Sequence, residues 1–234
     1  MPIALGIVVF VLTAILLLML SKIRSAKQDR FIREYRFPRG LLAKLDQHHP
    51  NLGVKDKQLV QRGLRKFLLA YLHGGRKQVS MPSQVVDDLW HEFILYTREY
   101  DEFCKQAFGH FFHHTPAGTL GTNKTSNIGL RRVWWYACVE ETINPRQPTR
   151  LPLLFALDSK LKIANGFFYT VDCTGLIARA GDSSSVTYCG SDFASTSVDG
   201  STEGFGDFSS SSDGGSDSSG GGDGCGGGCG GGGD

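Results

Sequence analysis

Between Pro2 and Leu20 the sequence has no charged residue. A helix in a globular core keeps one polar face, and this run has none. Ile3, Leu5, Ile7, Val8, Val9, Phe10, Val11, Leu12, Ile15, Leu16, Leu17, Leu18 and Leu20 surround the whole helical circumference, which argues against a buried core helix. At about 1.5 Å of rise per residue the run crosses roughly 30 Å of hydrocarbon, so residues 1–22 are expected to form a transmembrane anchor in the bilayer. Positive charge is also missing where a cleaved signal peptide would carry it, since only Met1 and Pro2 stand before the apolar run. It comes afterwards instead, as Lys22, Arg24, Lys27, Arg30, Arg33, Arg36 and Arg39. The positive-inside bias then predicts a single-pass protein of the cell (inner) membrane, with its N-terminus outside and its long C-terminal part in the cytoplasm.

Other absences narrow the chemistry. No phosphate-binding loop, no nucleophile–base motif, no HExxH pair and no paired CxxC motif is present, so none of the familiar enzyme or zinc-finger signatures applies. The six cysteines lie in dissimilar contexts and do not read as a disulfide framework, although an even count leaves pairing open. Lysine and arginine are lacking beyond Gly181, where the composition turns to Ser, Gly and Asp. A segment so poor in apolar residues cannot offset its ordering entropy, so residues 176–234 are expected to be a disordered Gly/Ser-rich tail.

What remains has the size of one domain. After a basic juxtamembrane segment at 23–40, residues 41–175 are expected to form a compact, mainly α domain. Apolar residues recur with helical period at Leu59, Val60, Leu64, Phe67, Leu68, Tyr71 and Leu72, opposite a basic face read as solvated, and Gly74 and Gly75 end the helix. The period repeats from Val85 to Ile94, from Tyr100 to Phe108 with a stop at Gly109, and from Leu130 to Glu141 before Pro145. Residues 115–127 read as a flexible connection. Leu151–Phe155 and Gly166–Cys173 are apolar and partly aromatic, and a short hairpin or extended edge is expected there. Trp90 shares a stripe with Val86, Leu89, Phe93 and Ile94, which makes it a core anchor.

One constellation offers metal ligands. Asp87 and His91 are four apart, hence on one helical face, and His113 and His114 follow the next helix, where an antiparallel return would bring them back. Imidazoles and a carboxylate suit zinc, and three protein ligands plus water would make an open site. The competing reading is structural: His91 bonds to Asp87, the later histidines cap a helix end, and Cys104 is an inert buried thiol. Cys225 and Cys229, spaced by glycines in the tail, are accessible thiols, too few for a tetrahedral set.

The run from Pro82 to Pro116, with Val86-Asp87, Trp90-His91, Tyr100, Phe103-Cys104, Phe108-Gly109 and His113-His114, resembles the bacterial branch of the glycine-rich domain-containing proteins. The likeness continues through Trp134, Cys138, Asn144-Pro145, Leu151-Pro152, Asp158 and Asp172-Cys173, and departs from the plant pattern at Phe93, where a histidine would stand. It implies a domain and no carried-over activity. The tail is similar to cysteine-bearing polyglycine ends of bacterial membrane proteins.

Two functions follow from the residues. The first is a non-enzymatic interaction module tethered to the membrane and docking a protein partner. The second is a metal-dependent hydrolase or metal sensor built on Asp87, His91, His113 and His114. Nucleic acid is the weaker partner, resting on Arg62, Arg65, Lys66, Arg76 and Lys77.

Overall fold

A computed structural model describes residues 2–114, 124–171 and 187–189. Seven helices and two short strands follow in order: α1 (Pro2–Glu34), α2 (Leu41–His48), α3 (Val54–His73), α4 (Gln84–Leu95), α5 (Thr97–Ala107), α6 (Lys124–Glu140), α7 (Leu153–Leu161), β1 (Phe168–Thr170) and β2 (Thr187–Cys189). The described part is mainly helical, in keeping with the hydrophobic period. The tail expected from 176 onward, with Cys225 and Cys229, lies outside the described residues apart from β2.

The helix α1 is one continuous helix of 33 residues with two unlike halves. In the first, the large apolar side chains from Ile3 to Leu20 are exposed, and the helix is long and apolar enough to cross a membrane. In the second, which continues through the basic stretch, Gln28 and Ile32 are buried against the domain. Phe31 and Tyr35 meet Phe103 of α5 with ring centroids 5.7 and 4.6 Å apart. Arg33 donates to Glu140 of α6 at 2.7 Å, and His73 of α3 pairs with Asp29 at 2.8 Å.

The centre is α3, which touches α1, α2, α4, α6 and α7. Its Gly63 permits this crowding, because a Cβ there would stand 2.4 Å from Leu157 of α7 and 2.9 Å from Val86 of α4. Val60, Leu64, Phe67 and Leu68 are fully buried, as the period requires. The basic face is less free than the sequence suggests. Lys57 pairs with Asp46, Lys66 with Glu141 at 3.2 Å, and Arg65 donates to the carbonyls of Ile32 and Tyr35 with its guanidinium 5.2 Å from the Phe37 ring. These cations hold α1, α2 and α6 to α3, and the solvated-face expectation is corrected accordingly.

Leu151–Phe155 is also corrected: from Leu153 on it is helical, with Pro152 at the N-cap and Leu154, Phe155 and Leu157 buried. A short apolar run carries no period by which to tell strand from buried helix. Extended structure occurs at Phe168–Thr170, which pairs in parallel with Thr187–Cys189, Tyr169 opposite Tyr188. Residues 172–186 between them, on which a hairpin would turn, lie outside the described residues. Trp134, Cys138, Phe155 and Tyr169 close this end of the core, with the Trp134 and Phe155 rings 5.0 Å apart. Cys104 and Cys138 are free thiols, both buried.

Candidate functional site

The site is organised by α4, whose first turn is held from outside. Ser83 caps it by accepting from the Val86 amide at 3.4 Å. The buried Asp158 of α7 adds a carboxylate there: its oxygens accept from Ser83 Oγ and the Gln84 amide at 2.7 Å, from the Val85 amide at 3.3 Å and from the Phe167 amide at 2.9 Å. A negative group at a helix N-terminus satisfies unpaired amides and complements the helix dipole. Both the direction of α4 and the start of β1 therefore depend on one aspartate.

On the inner face of α4, Val86, Leu89, Trp90 and Phe93 are buried. Trp90 is a core anchor: its ring lies 5.0 Å from Phe67 and 4.9 Å from Phe112, and its Nε1 donates to the Tyr100 hydroxyl at 3.1 Å. That hydroxyl donates in turn to the Phe112 carbonyl at 2.6 Å, and burial pushes its pKa above the usual tyrosine value. The chain reverses at Gly109, whose φ of +84° favours glycine, and returns across α3 and α4. Phe112 stacks on Tyr71 at 3.8 Å and 11°, while His110 shares a 2.9 Å hydrogen bond with the Tyr71 hydroxyl.

This return delivers His114 to Asp87. His114 Nε2 lies 2.9 Å from Asp87 Oδ1, and His91 Nδ1 lies 3.7 Å from Asp87 Oδ2. The two imidazoles face each other with centroids 4.0 Å apart, and Trp90 backs His114 at 4.6 Å. One ligand atom from each of Asp87, His91 and His114 falls within 4.8 Å of the others. The Asp87 side chain is 5 % exposed, His114 13 % and His91 51 %, so the group is closed on the protein side and open at His91. Burial raises the Asp87 pKa, and the neighbouring His114 and His91 offset part of that.

Of the sequence candidates, three meet and the others do not. His113 is exposed and packs its ring on Phe111 at 4.8 Å. Successive side chains of an extended segment point to opposite sides, so placing His114 on Asp87 turns His113 outward. Cys104 stays in the core, where burial raises its thiol pKa, and it is no member of the cluster.

The sequence reading missed that the remaining carboxylates of α4 also meet histidines. His49 Nε2 lies 2.7 Å from Asp88 Oδ2, and His48 Nε2 lies 3.0 Å from Glu92 Oε1. Both come from the end of α2, whose period is too short to single out. The adjacent His48-His49 pair was the available signal. Asp88 also accepts from Gln84 at 2.9 Å, and His48, His49, Gln84 and Asp88, with Ile163, Ala164 and Asn165, line a cleft of about 410 Å³.

No curated protein and no solved structure matches the chain. A family model does, over residues 27–193, and it is not that of the glycine-rich domain proteins. The suggested resemblance is thereby overturned. Much of it rested on Trp90, Tyr100, Cys104, Trp134 and Cys138, all of which are buried and pack the core. The match takes in the domain-packed end of α1, every later helix and both strands, and on that basis the chain belongs to the UCP032817-like family.

Proposed function

We propose that the protein is a membrane-tethered helical domain that holds one divalent metal ion on Asp87, His91 and His114 and acts as a metal-responsive binding module. The observation that carries this reading is the convergence of three ligand-type side chains from two segments, with ligand atoms within 4.8 Å. Tetrahedral zinc with bonds of about 2.0–2.1 Å separates its ligand atoms by roughly 3.3 Å, inside the range spanned by these contacts. A cation would also relieve the buried Asp87 carboxylate, whose ionised form is disfavoured by burial. Three protein ligands leave a fourth position at the exposed His91 side, where water or a partner's side chain would complete the shell.

The tether reading rests on the first half of α1, with its exposed apolar surface and following cations. It gives a cytoplasmic domain and an N-terminus outside. Reporter fusions after Asp234 check it: a cytoplasmic reporter active and an export-dependent one silent is the expected result. For partners, nucleic acid is disfavoured because Arg65 and Lys66 are engaged within the chain.

A second reading is favoured by the direct 2.9 Å contact of Asp87 with His114: a metal-free latch that fixes the 110–114 return for docking a protein partner. Thermal melts of the full chain in detergent separate the two. At a hundredfold excess over its dissociation constant, zinc should stabilise the wild type by about 2.7 kcal/mol, with no such gain in His91→Ala or His114→Ala. A wild-type melt indifferent to zinc and to chelator would leave the latch.

A further inference from the structure

Where the apolar run of α1 ends, a second cavity of about 320 Å³ opens between α1 and the domain, lined by Ser21, Arg24, Ser25, Gln28, Arg76 and Phe108. The four α1 residues follow i, i+3, i+4, i+7 spacing, so they form one stripe of the helix. Opposite them stands Arg76, in the turn after α3 with a left-handed φ of 59°, a conformation unusual for a side-chain-bearing residue. Its guanidinium donates to Gln28 Oε1, and its Nε is shielded from solvent with no hydrogen-bond partner. Arg24 lies across the turn at Gly109, its Nη2 3.0 Å from where a Cβ would stand. Among the described residues neither arginine pairs with a carboxylate, and no acidic residue lines the cavity.

Two guanidiniums and the Ser25 hydroxyl around one cavity form a receptor for a phosphate group, while the Ser21 hydroxyl at its rim donates to the Leu18 carbonyl at 2.8 Å. Its level identifies the source. Ser21 directly follows Leu20, and at about 1.5 Å per residue the stripe from Ser21 to Gln28 spans roughly the first 10 Å past the hydrocarbon edge, the depth of the headgroup layer. We infer that this cavity binds the phosphodiester of an anionic phospholipid, with Arg24 and Arg76 as its cationic clamp and Phe108 as its apolar floor. The inference rests on α1 being a membrane span. It fixes the domain's height and rotation against the bilayer, since both walls of the cavity must reach the same headgroup.

Native mass spectrometry of the full chain released from vesicles of equal phosphatidylglycerol and phosphatidylcholine tests this. The wild type should retain one phosphatidylglycerol in preference to phosphatidylcholine. Arg24→Gln should weaken that retention about fivefold, and the Arg24→Gln/Arg76→Gln pair roughly thirtyfold, as expected for cations at a lipid surface. Arg24 is exposed, so its single variant reports even where the Arg76 change disturbs the fold. Lys22→Gln/Lys27→Gln removes the same charge outside the cavity and should weaken retention clearly less than the Arg24→Gln/Arg76→Gln pair does; an equal loss there would reduce the effect to general surface attraction and overturn the site. Displacement of the lipid by millimolar inorganic phosphate would assign the cavity to a soluble anion and overturn the lipid source. Alkaline carbonate extraction keeps the two readings apart. A wild-type chain that stays in the vesicle without preferring phosphatidylglycerol defeats the site alone, and a chain that carbonate releases defeats the tether with it.

Discussion

The two faces of α4 are built by different rules. Its inner face is Val86, Leu89, Trp90 and Phe93, packed on Phe67, Phe112 and Tyr100 by shape and area. Its outer edge is Asp87, Asp88 and Glu92, each met by a histidine from a distant segment: His114, His49 and His48. Apart from Trp90, whose Nε1 bonds to Tyr100, residues on the inner face are constrained mainly by volume and apolar character. Those on the outer edge are specific in pairing, because a buried or half-buried carboxylate requires a donor at a defined place. The contrast separates what holds this domain together from what it can bind.

The largest effect should come from the inner face. Trp90→Ala removes a nearly fully buried ring together with its hydrogen bond to Tyr100, and should cost about 3–5 kcal/mol in denaturant unfolding of the full chain. Loss of stability below about 1 kcal/mol would show that this face is not the anchor. Next comes Asp158→Asn, which keeps the shape and removes the charge from the α4 N-terminus. With two backbone amides of α4, the Ser83 hydroxyl and the Phe167 amide affected, the expected cost is about 2–3 kcal/mol, and circular dichroism should retain the helical content.

The outer edge should respond less to the same measurement. His49→Ala breaks a 2.7 Å pair whose side chains are partly exposed, and should cost about 1 kcal/mol. His91→Ala, at a 3.7 Å contact with a half-exposed ring, should cost less than that in the presence of chelator. Should His91→Ala without metal prove as damaging as Trp90→Ala, the outer edge would be structural and the contrast would fall. Thiol accessibility sharpens the core side without touching stability. Burial pushes the Cys138 thiol up to about 12 and raises Cys104 too, so neither should react with N-ethylmaleimide at neutral pH in the folded chain, as read by peptide mass spectrometry.

The same contrast explains what the sequence disclosed. Hydrophobic period placed Val86, Leu89, Trp90 and Phe93 on one stripe, located α3 to α5, and put Asp87 beside His91, because these are properties of a single helix. Partnership across the chain is not periodic. Gly109 marked the turn in the sequence, but that His114 rather than His113 reaches Asp87 follows from the stacking of Phe112 on Tyr71, which has no local signature. Asp158 as a cap 74 residues from Gln84 was invisible for the same reason, and the adjacent His48-His49 pair showed itself without showing that α4 is its partner. The basic face of α3 misled in the other direction: exposure was inferred from charge, but Arg65 and Lys66 find partners on α1 and α6 or just beyond them. Long aliphatic stems let such cations lie along a core and still reach an acceptor.

The measurement that bears most directly on the outer edge is the metal content of the full chain, purified without chelator and without added metal. Elemental analysis should find close to one equivalent of zinc or a related divalent ion per chain in the wild type. It should fall to background in Asp87→Ala, His91→Ala and His114→Ala, and stay unchanged in His113→Ala and His49→Ala. Substoichiometric metal in the wild type that zinc dialysis does not restore, or the same metal content in His113→Ala as in His114→Ala, would contradict a site built on Asp87, His91 and His114.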